Sequence, residues 1–396
     1  MEQKFDEIHI WEFTLSDISI NLESKFRASL FKEATKKFKT SKELALFLCG
    51  QGKKYGVIRT GLASRIRYWK NNTKLFFIPA WIIFEVTNAL EIPKEVVEDK
   101  IISYKTYHGS TNVVNPRLPI LITPEFAALV ANLMGDGTDK RSLTPLGSYT
   151  QYNPISRGRF YKKILNVFGN LVPPTLSSDG KQVVLPSCLF LALKNYYKIK
   201  SFGSFESRIP QMLKNSPKEF RIAILSAFLV DEGSIYDNII LRVKNRELLS
   251  DLREIALSLG YNCSEIAYTK DKKFGGYVFK FSISTFSAKK LLDDIKKLTE
   301  SFPTCDLAHK QENLEHLVSL SRISGSKRKM GKTKEIIFEC LKEPKTVMEI
   351  SKIVGIGRRT IRQHLGDMIK INKVMCCGTK GRAKLWSKCE KYGTTI

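Results

Sequence analysis

The chain has no uninterrupted apolar run approaching the roughly 18 residues of a membrane span, so no spanning helix is expected. Its opening residues, MEQKFDEIHIWEF, mix acids into a stretch without an apolar segment, which does not read as a secretory signal. Its eight cysteines, Cys49, Cys188, Cys263, Cys305, Cys340, Cys376, Cys377 and Cys389, never stand at CxxC spacing. They read as reduced structural thiols in an intracellular protein, and no zinc is expected, since Cys305 with His309 lacks a second pair. No catalytic Cys or Ser opens the chain, so a free-standing product is expected rather than an excised intein. Acid is also scarce: 39 Asp and Glu face 65 Lys and Arg, a net charge of +26. That excess points to a polyanionic partner, because Lys and Arg that neutralise phosphates release condensed counterions. The expectation is a soluble, cytoplasmic, nucleoid-associated protein that binds double-stranded DNA and no membrane.

At 396 residues with 43% hydrophobic content, the chain is long enough for two or three domains with proper cores. Two linkers divide it. NVVNPRLPILITP, from Asn112 to Pro124, carries three prolines that forbid a long helix, and SLSRISGSKRKMGK, from Ser319 to Lys332, is a flexible basic hinge. The first block reads as largely helical after a short strand. Thr40 and Glu43 form a capping-box pattern ahead of LALFL, and VIRTGLASRIRYWK follows a glycine-bearing turn. Helix, turn and basic helix outline a helix-turn-helix, with Arg59, Arg65, Arg67 and Lys70 available to DNA.

In the last block TKEIIFECLKE forms a first helix, and Thr346 with Glu349 caps a second, VMEISKIVG. Gly355 turns the chain into RRTIRQHLGDMIK, where Ile361, Leu365 and Met368 face inward and Arg358, Arg359, Arg362 and Gln363 face mostly outward. KVMCCGTKGRAKLW follows as a basic hairpin bearing Lys380 and Arg382. Three helices and a basic wing resemble a winged helix-turn-helix.

The middle of the chain repeats itself. LVANLMGDGTDK at 129–140 and ILSAFLVDEGSI at 224–235 each close an apolar helix with an acid, a glycine and a small hydroxyl, and each is followed by strands and helices in similar order. Gly137 and Gly233 are expected at helix ends that favour a left-handed residue. Asp136 and Glu232 then face the negative end of a helix dipole, a placement that costs about 0.3–1 kcal/mol. Two such acids at equivalent points of a repeat ask for a cation. Small residues, Ala127, Ala131 and Gly135 in one helix and Ala223, Ser226 and Ala227 in the other, would let the helices approach closely and bring the acids together. Neighbouring carboxylates of this kind suit Mg2+. In NIILRVK and YVFKFSIS, strand alternation puts Arg242 and Lys244, then Lys280 and Ser282, on polar faces open to a DNA groove, and Tyr149 and Gln151 are expected to do likewise in the first half.

At LVANLMGDG, 129–137, and LSAFLVDEG, 225–233, the chain resembles the LAGLIDADG homing endonucleases, over about 123–312. The resemblance implies an α+β, pseudo-twofold core of two αββαββα halves, working as a single-chain pseudo-dimer whose sheets form a saddle on DNA. It implies Mg2+ or another divalent cation at Asp136 and Glu232, with Gly135 and Asp231 beside them, and cleavage of both strands to short 3′ overhangs. A basic or amide residue that assists the metals is sought among Lys140, Gln151 and Lys244.

The expected domains are 1–115, helical and helix-turn-helix-like; 123–312, the core, with halves 123–200 and 218–300; 319–332, the basic linker; and 333–396, the winged helix. The expected function is metal-dependent, site-specific DNA cleavage. A non-catalytic transcriptional regulator on the same scaffold is the alternative, with an RNA maturase behind it.

Overall fold

The structure, a computed structural model, describes residues 5–57, 60–72, 74, 76–140, 146–177, 179–203, 205–270, 275–323, 332–381 and 383–389, with the side chains of 139, 140, 146 and 321–323 left undescribed. It mixes helices and antiparallel sheets, as an α+β chain should.

The first block is largely helical, as expected, with helices Ser24–Lys37, Ser41–Gly52, Leu62–Asn71, Ala80–Ala89 and Lys94–Glu98, but it also carries more strand than the short stranded start expected. Strands Ile18–Leu22, Ile78–Pro79, Ile101–Thr106 and Asn112–Val114 form an antiparallel sheet, and a fifth strand, Asn170–Val172, joins from the central block. These short, β-branched stretches have no helical periodicity to betray them, and their pairing is nonlocal. The proline-rich connection is partly paired too, with Ile120–Leu121 against Glu7–Ile8. The boundary drawn at 115 therefore does not divide the core: one hydrophobic cluster runs from Ile8 to Val318 through both blocks.

The expected pair of helices in this block is present as Ser41–Gly52 and Leu62–Asn71. Thr40 accepts from the Glu43 N–H at 3.1 Å, which is half of the predicted capping box. The second helix starts at Leu62 rather than at Val57, because Gly61 takes a left-handed φ of 72°. Its far end is held by Arg27, a fully buried residue whose guanidinium donates to the carbonyls of Trp69 and Asn72. Arg27→Ala is expected to strand those carbonyls and leave a cavity, costing about 3 kcal/mol. Urea denaturation of the variant checks this.

The central block holds the repeat. In the second half, helix Lys218–Asp231 leads to a four-stranded sheet in the order Gly233–Ile235, Ile239–Val243, Tyr277–Ile283, Ala267–Lys270, with helices Arg246–Ser258 and Ala288–Ser301. In the first half, helix Pro124–Asp136 leads to Gly137–Lys140, Leu146–Thr150 and Gln182–Leu185, in the matching order, with helices Pro154–Phe168 and Ser187–Tyr196. Where the second half has its fourth strand, the first half has a single antiparallel bridge, Leu176 to Val183, and the preceding strand Asn170–Val172 pairs with the first block's sheet. Both halves cap the middle helix with asparagine, Asn153 and Asn245, each accepting two backbone N–H bonds.

The last block follows its predicted order: helices Lys332–Cys340, Val347–Val354 and Arg358–Lys370, then the hairpin Val374–Lys380 and Ala383–Lys388. Thr346 and Glu349 form a complete capping box, and Gly355 takes a φ of 67° at the turn. Ile361, Leu365 and Met368 are buried in a cluster of this block's own.

Candidate active site and nucleic-acid face

Helices Pro124–Asp136 and Lys218–Asp231 pack against each other. Their small residues sit at the contact: Ala127, Ala131, Ala223 and Ala227 are buried, and a Cβ on Gly135 would lie 3.0 Å from Asp231 Oδ2. The helices therefore approach closely at their C-terminal ends, where Asp136, Asp231 and Glu232 gather.

The three acids differ. Asp231 accepts from Asn132 Nδ2 at 2.8 Å and from the Tyr149 hydroxyl at 2.6 Å, while Lys163 Nζ reaches Asn132 Oδ1 at 3.3 Å. Asp231 thereby fastens the two helices, each of its oxygens accepting one hydrogen bond, and Gly135, grouped with it as a metal position, allows its close approach. Asp136 accepts from Gln151 Nε2 at 2.7 Å on one oxygen, and no donor among the described residues is hydrogen-bonded to the other. No donor among the described residues is hydrogen-bonded to the Glu232 carboxylate.

Burial raises the pKa of all three, and their mutual repulsion adds to it at Asp231 and Glu232. Glu232 is pushed up to about 8, with burial first, then the charges of Asp136 and Asp231, against a partial offset from Lys310. Linkage fixes the sign. A carboxyl whose folded pKa is raised contributes stability that is full below its ordinary range, near pH 4, and is lost as pH rises through about 8. The protein is therefore expected to melt lower at about pH 8.5 than at about pH 6. Scanning calorimetry in chelator at the two pH values checks this.

Lys310 is the residue that sequence reasoning missed. It lies in the single turn Ala308–Lys310, and its ammonium donates to the carbonyls of Leu229, Val230 and Gly233 at 2.9, 2.5 and 2.6 Å. It thus caps the second central helix and sets a positive charge beside all three acids, while burial lowers its own pKa. No local pattern flags a lysine so far along the chain from the acids it serves. Of the assisting residues proposed from sequence, Gln151 touches Asp136, and Lys244 is half-buried just past the strand Ile239–Val243. The Lys140 side chain lies outside the described residues.

The sheet face follows the predicted alternation in the second half. Ile239, Leu241 and Val243 are buried, Arg242 is exposed, and Lys280 and Ser282 are half-buried. Arg242 pairs directly with Lys280 across the strands. Like charges opposite one another destabilise a sheet, and an anionic partner relieves them. In the first half the expectation for Tyr149 fails. Its side chain is 0% exposed and stacks on Phe160 at 4.1 Å, because it shares the core face with Val183 across the strand pair.

Outside the core, Arg65 and Arg67 are exposed on their helix, as are Arg359, Arg362 and Gln363 on theirs. Lys380 is exposed and paired with Glu349 at 3.0 Å. Arg358 is a correction: only 4% exposed, it faces the central block rather than solvent. Helical periodicity could not reveal a second surface packed on the polar side. Arg59 and Arg382 lie outside the described residues. Cys305 is buried, and His309 Nδ1 is 2.7 Å from the Ser156 hydroxyl.

No family model and no curated protein matches the chain. Among solved structures it is similar to a variant of I-DmoI in complex with its target DNA in the presence of 2 mM Mn, with 14% identity and a TM-score of 0.31 over 46% of this chain and 96% of that one. At that level of similarity nothing about this chain follows from the neighbour.

Proposed function

We propose that the chain binds double-stranded DNA across the paired sheets of a pseudo-twofold, LAGLIDADG-type core and cuts it at Asp136 and Glu232 with a divalent cation. The observation that carries this reading is the meeting of two equivalent helix ends. There, two half-buried carboxylates stand with no side-chain cation bonded to them among the described residues, in a chain of net charge +26. The donor set fits a hard cation such as Mg2+. Among the described residues no three His, Cys, Asp or Glu side chains form a metal-binding group, so two carboxylates would hold the ion and water or DNA oxygens would complete its shell. A bound Mg2+ supplies charge stabilisation at the phosphate and acidifies water for attack.

The chain's own residues do the rest. Gln151 orients Asp136, Lys310 fixes the end of the helix that presents Glu232, and Asp231 locks the two helices in register. Arg242, Lys280 and Ser282 line the groove-facing strands, with Arg65 and Arg67 of the first block and Arg359, Arg362 and Gln363 of a winged helix extending the footprint.

A non-catalytic DNA-binding regulator is a second reading, favoured by Lys310, whose ammonium already sits beside the acids. One experiment separates them. The protein is incubated with Mg2+ and a pool of randomised duplexes, together with the DNA flanking its own gene, and new ends are sequenced. Discrete cuts on both strands are expected. Retention of duplexes without any cut supports the regulator, and failure to retain duplex DNA sinks both.

A further inference from the structure

The C-terminal block has its own hydrophobic cluster around Ile337, Ile350, Ile361 and Leu365, separate from the cluster of the other blocks. Polar groups join it to the core. Asp237, in the turn between Gly233–Ile235 and Ile239–Val243, accepts from the Arg358 N–H at 3.0 Å. The Arg358 guanidinium donates to Asn313 Oδ1 at 3.1 Å and lies 4.7 Å from the Tyr236 ring. His316 Nε2 is 2.8 Å from the Ser351 hydroxyl, both buried. Because Ser351 Oγ donates its proton to the Ile356 carbonyl at 2.6 Å, it accepts from the histidine. Lys352 and Glu312 pair at the rim, 3.1 Å apart.

The choice of cap is informative. Helix Arg358–Lys370 begins at Gly357, which has no side chain to cap it, and the carboxylate at its first turn comes from another block. A serine or aspartate at 357 would cap the helix equally well without fixing its orientation. A cap supplied by the core ties the helix that carries Arg359, Arg362 and Gln363 to the very hairpin that follows Glu232.

We propose that Asp237 and Arg358 are positioning residues that fix the spacing and helical phase between two DNA-reading surfaces, the core strands and the outward side of the Arg358–Lys370 helix. The inference rests on the DNA-binding reading above. A block on a loose tether reaches its half-site at many spacings, whereas a latched block accepts one. Inserting half a helical turn, about five base pairs, moves the second half-site to the opposite side of the duplex.

The test uses the full chain. Duplexes retained from a randomised pool define the recognised segments, and about five base pairs are then inserted between them. The wild-type protein is expected to lose about tenfold or more in affinity on insertion. The Tyr236→Ala/Asp237→Ala variant, which leaves the outward side chains of the helix intact, is expected to bind the original duplex more weakly and to distinguish the two spacings by less than about twofold. Asp237→Asn, which keeps an acceptor oxygen for the Arg358 N–H, should recover discrimination, and a merely unstable variant is recognised by its melting curve. Wild-type indifference to the insertion, a single recognised segment, or a variant as discriminating as wild type overturns the proposal while leaving DNA binding intact. If the wild type retains no duplex, the DNA-binding reading fails and takes this inference with it.

Discussion

Glu232→Gln is expected to make the cation-free protein more stable at about pH 8.5, by about 1–3 kcal/mol, while lowering Mg2+-dependent DNA cleavage on the order of 10³-fold. Both effects have one cause. Burial and the neighbouring charges of Asp136 and Asp231 oppose ionisation of Glu232, so a neutral amide of the same shape removes a penalty that the carboxylate carries in the folded state. The same carboxylate is half of the proposed cation site, so its loss removes charge that the ion requires. Asp136→Asn should behave alike in cleavage with a smaller gain in stability, since Asp136 is already satisfied on one oxygen by Gln151. A structural acid behaves in the opposite way: its amide destabilises the protein and spares activity. Melting at about pH 8.5 in chelator, alongside cleavage of end-labelled duplex in Mg2+, measures both quantities. A drop in stability with cleavage intact would overturn the assignment.

The second large effect concerns the glycines that follow the acids. A Cβ on Gly137 would lie 2.1 Å from the Leu133 carbonyl oxygen, and one on Gly233 would lie 2.4 Å from that of Leu229. Both obstacles are backbone in the preceding helical turn, so a side-chain rotation cannot relieve them. Gly137→Ala and Gly233→Ala are each expected to cost about 3 kcal/mol or more and to misplace the adjoining acid. Gly158→Ala is the contrast, since a Cβ there meets nothing within 4 Å on a helix. It should stabilise by about 0.5–1 kcal/mol, as alanine does over glycine in a helix interior. Urea midpoints of the three variants decide the matter; equal, small changes at all three would remove the steric account.

These glycines also show where sequence reasoning found the right residues for the wrong reason. An acid followed by glycine at a helix end suggests a left-handed cap. Gly137 instead has an extended φ of −85°, and close approach of the strand to the last helical turn is what forbids a side chain. Positive φ does occur where the turn chemistry predicts it, at Gly355, because that helix stops in a local cap that its neighbours in sequence determine.

The repeat was legible because its signals are local and doubled: two apolar helices, two acid-glycine ends, and strands whose alternation survives in the burial of Ile239, Leu241 and Val243. The C-terminal helices were legible for the same reason, through the Thr346–Glu349 box and the stripe of Ile361, Leu365 and Met368. Tyr149 and Arg358 were misread because a side chain's polarity does not say which surface covers it. Tyr149 spends its hydroxyl on Asp231 and its ring on Phe160, and Arg358 meets a second block through Asp237 and Asn313.

The sequence by itself determined the main helices of the doubled core and of the last block, the sign of the charge, and the two acid-glycine helix ends at Asp136 and Glu232. Each of these depends on periodicity, capping or composition within a short window. Only the tertiary structure decided that the first block and the core share one sheet and one hydrophobic cluster, that Asp231 is a fastener, and that Lys310 caps the helix beside Glu232. Those facts depend on contacts between segments far apart in the chain, where chain closure and burial, and no local preference, choose the partner.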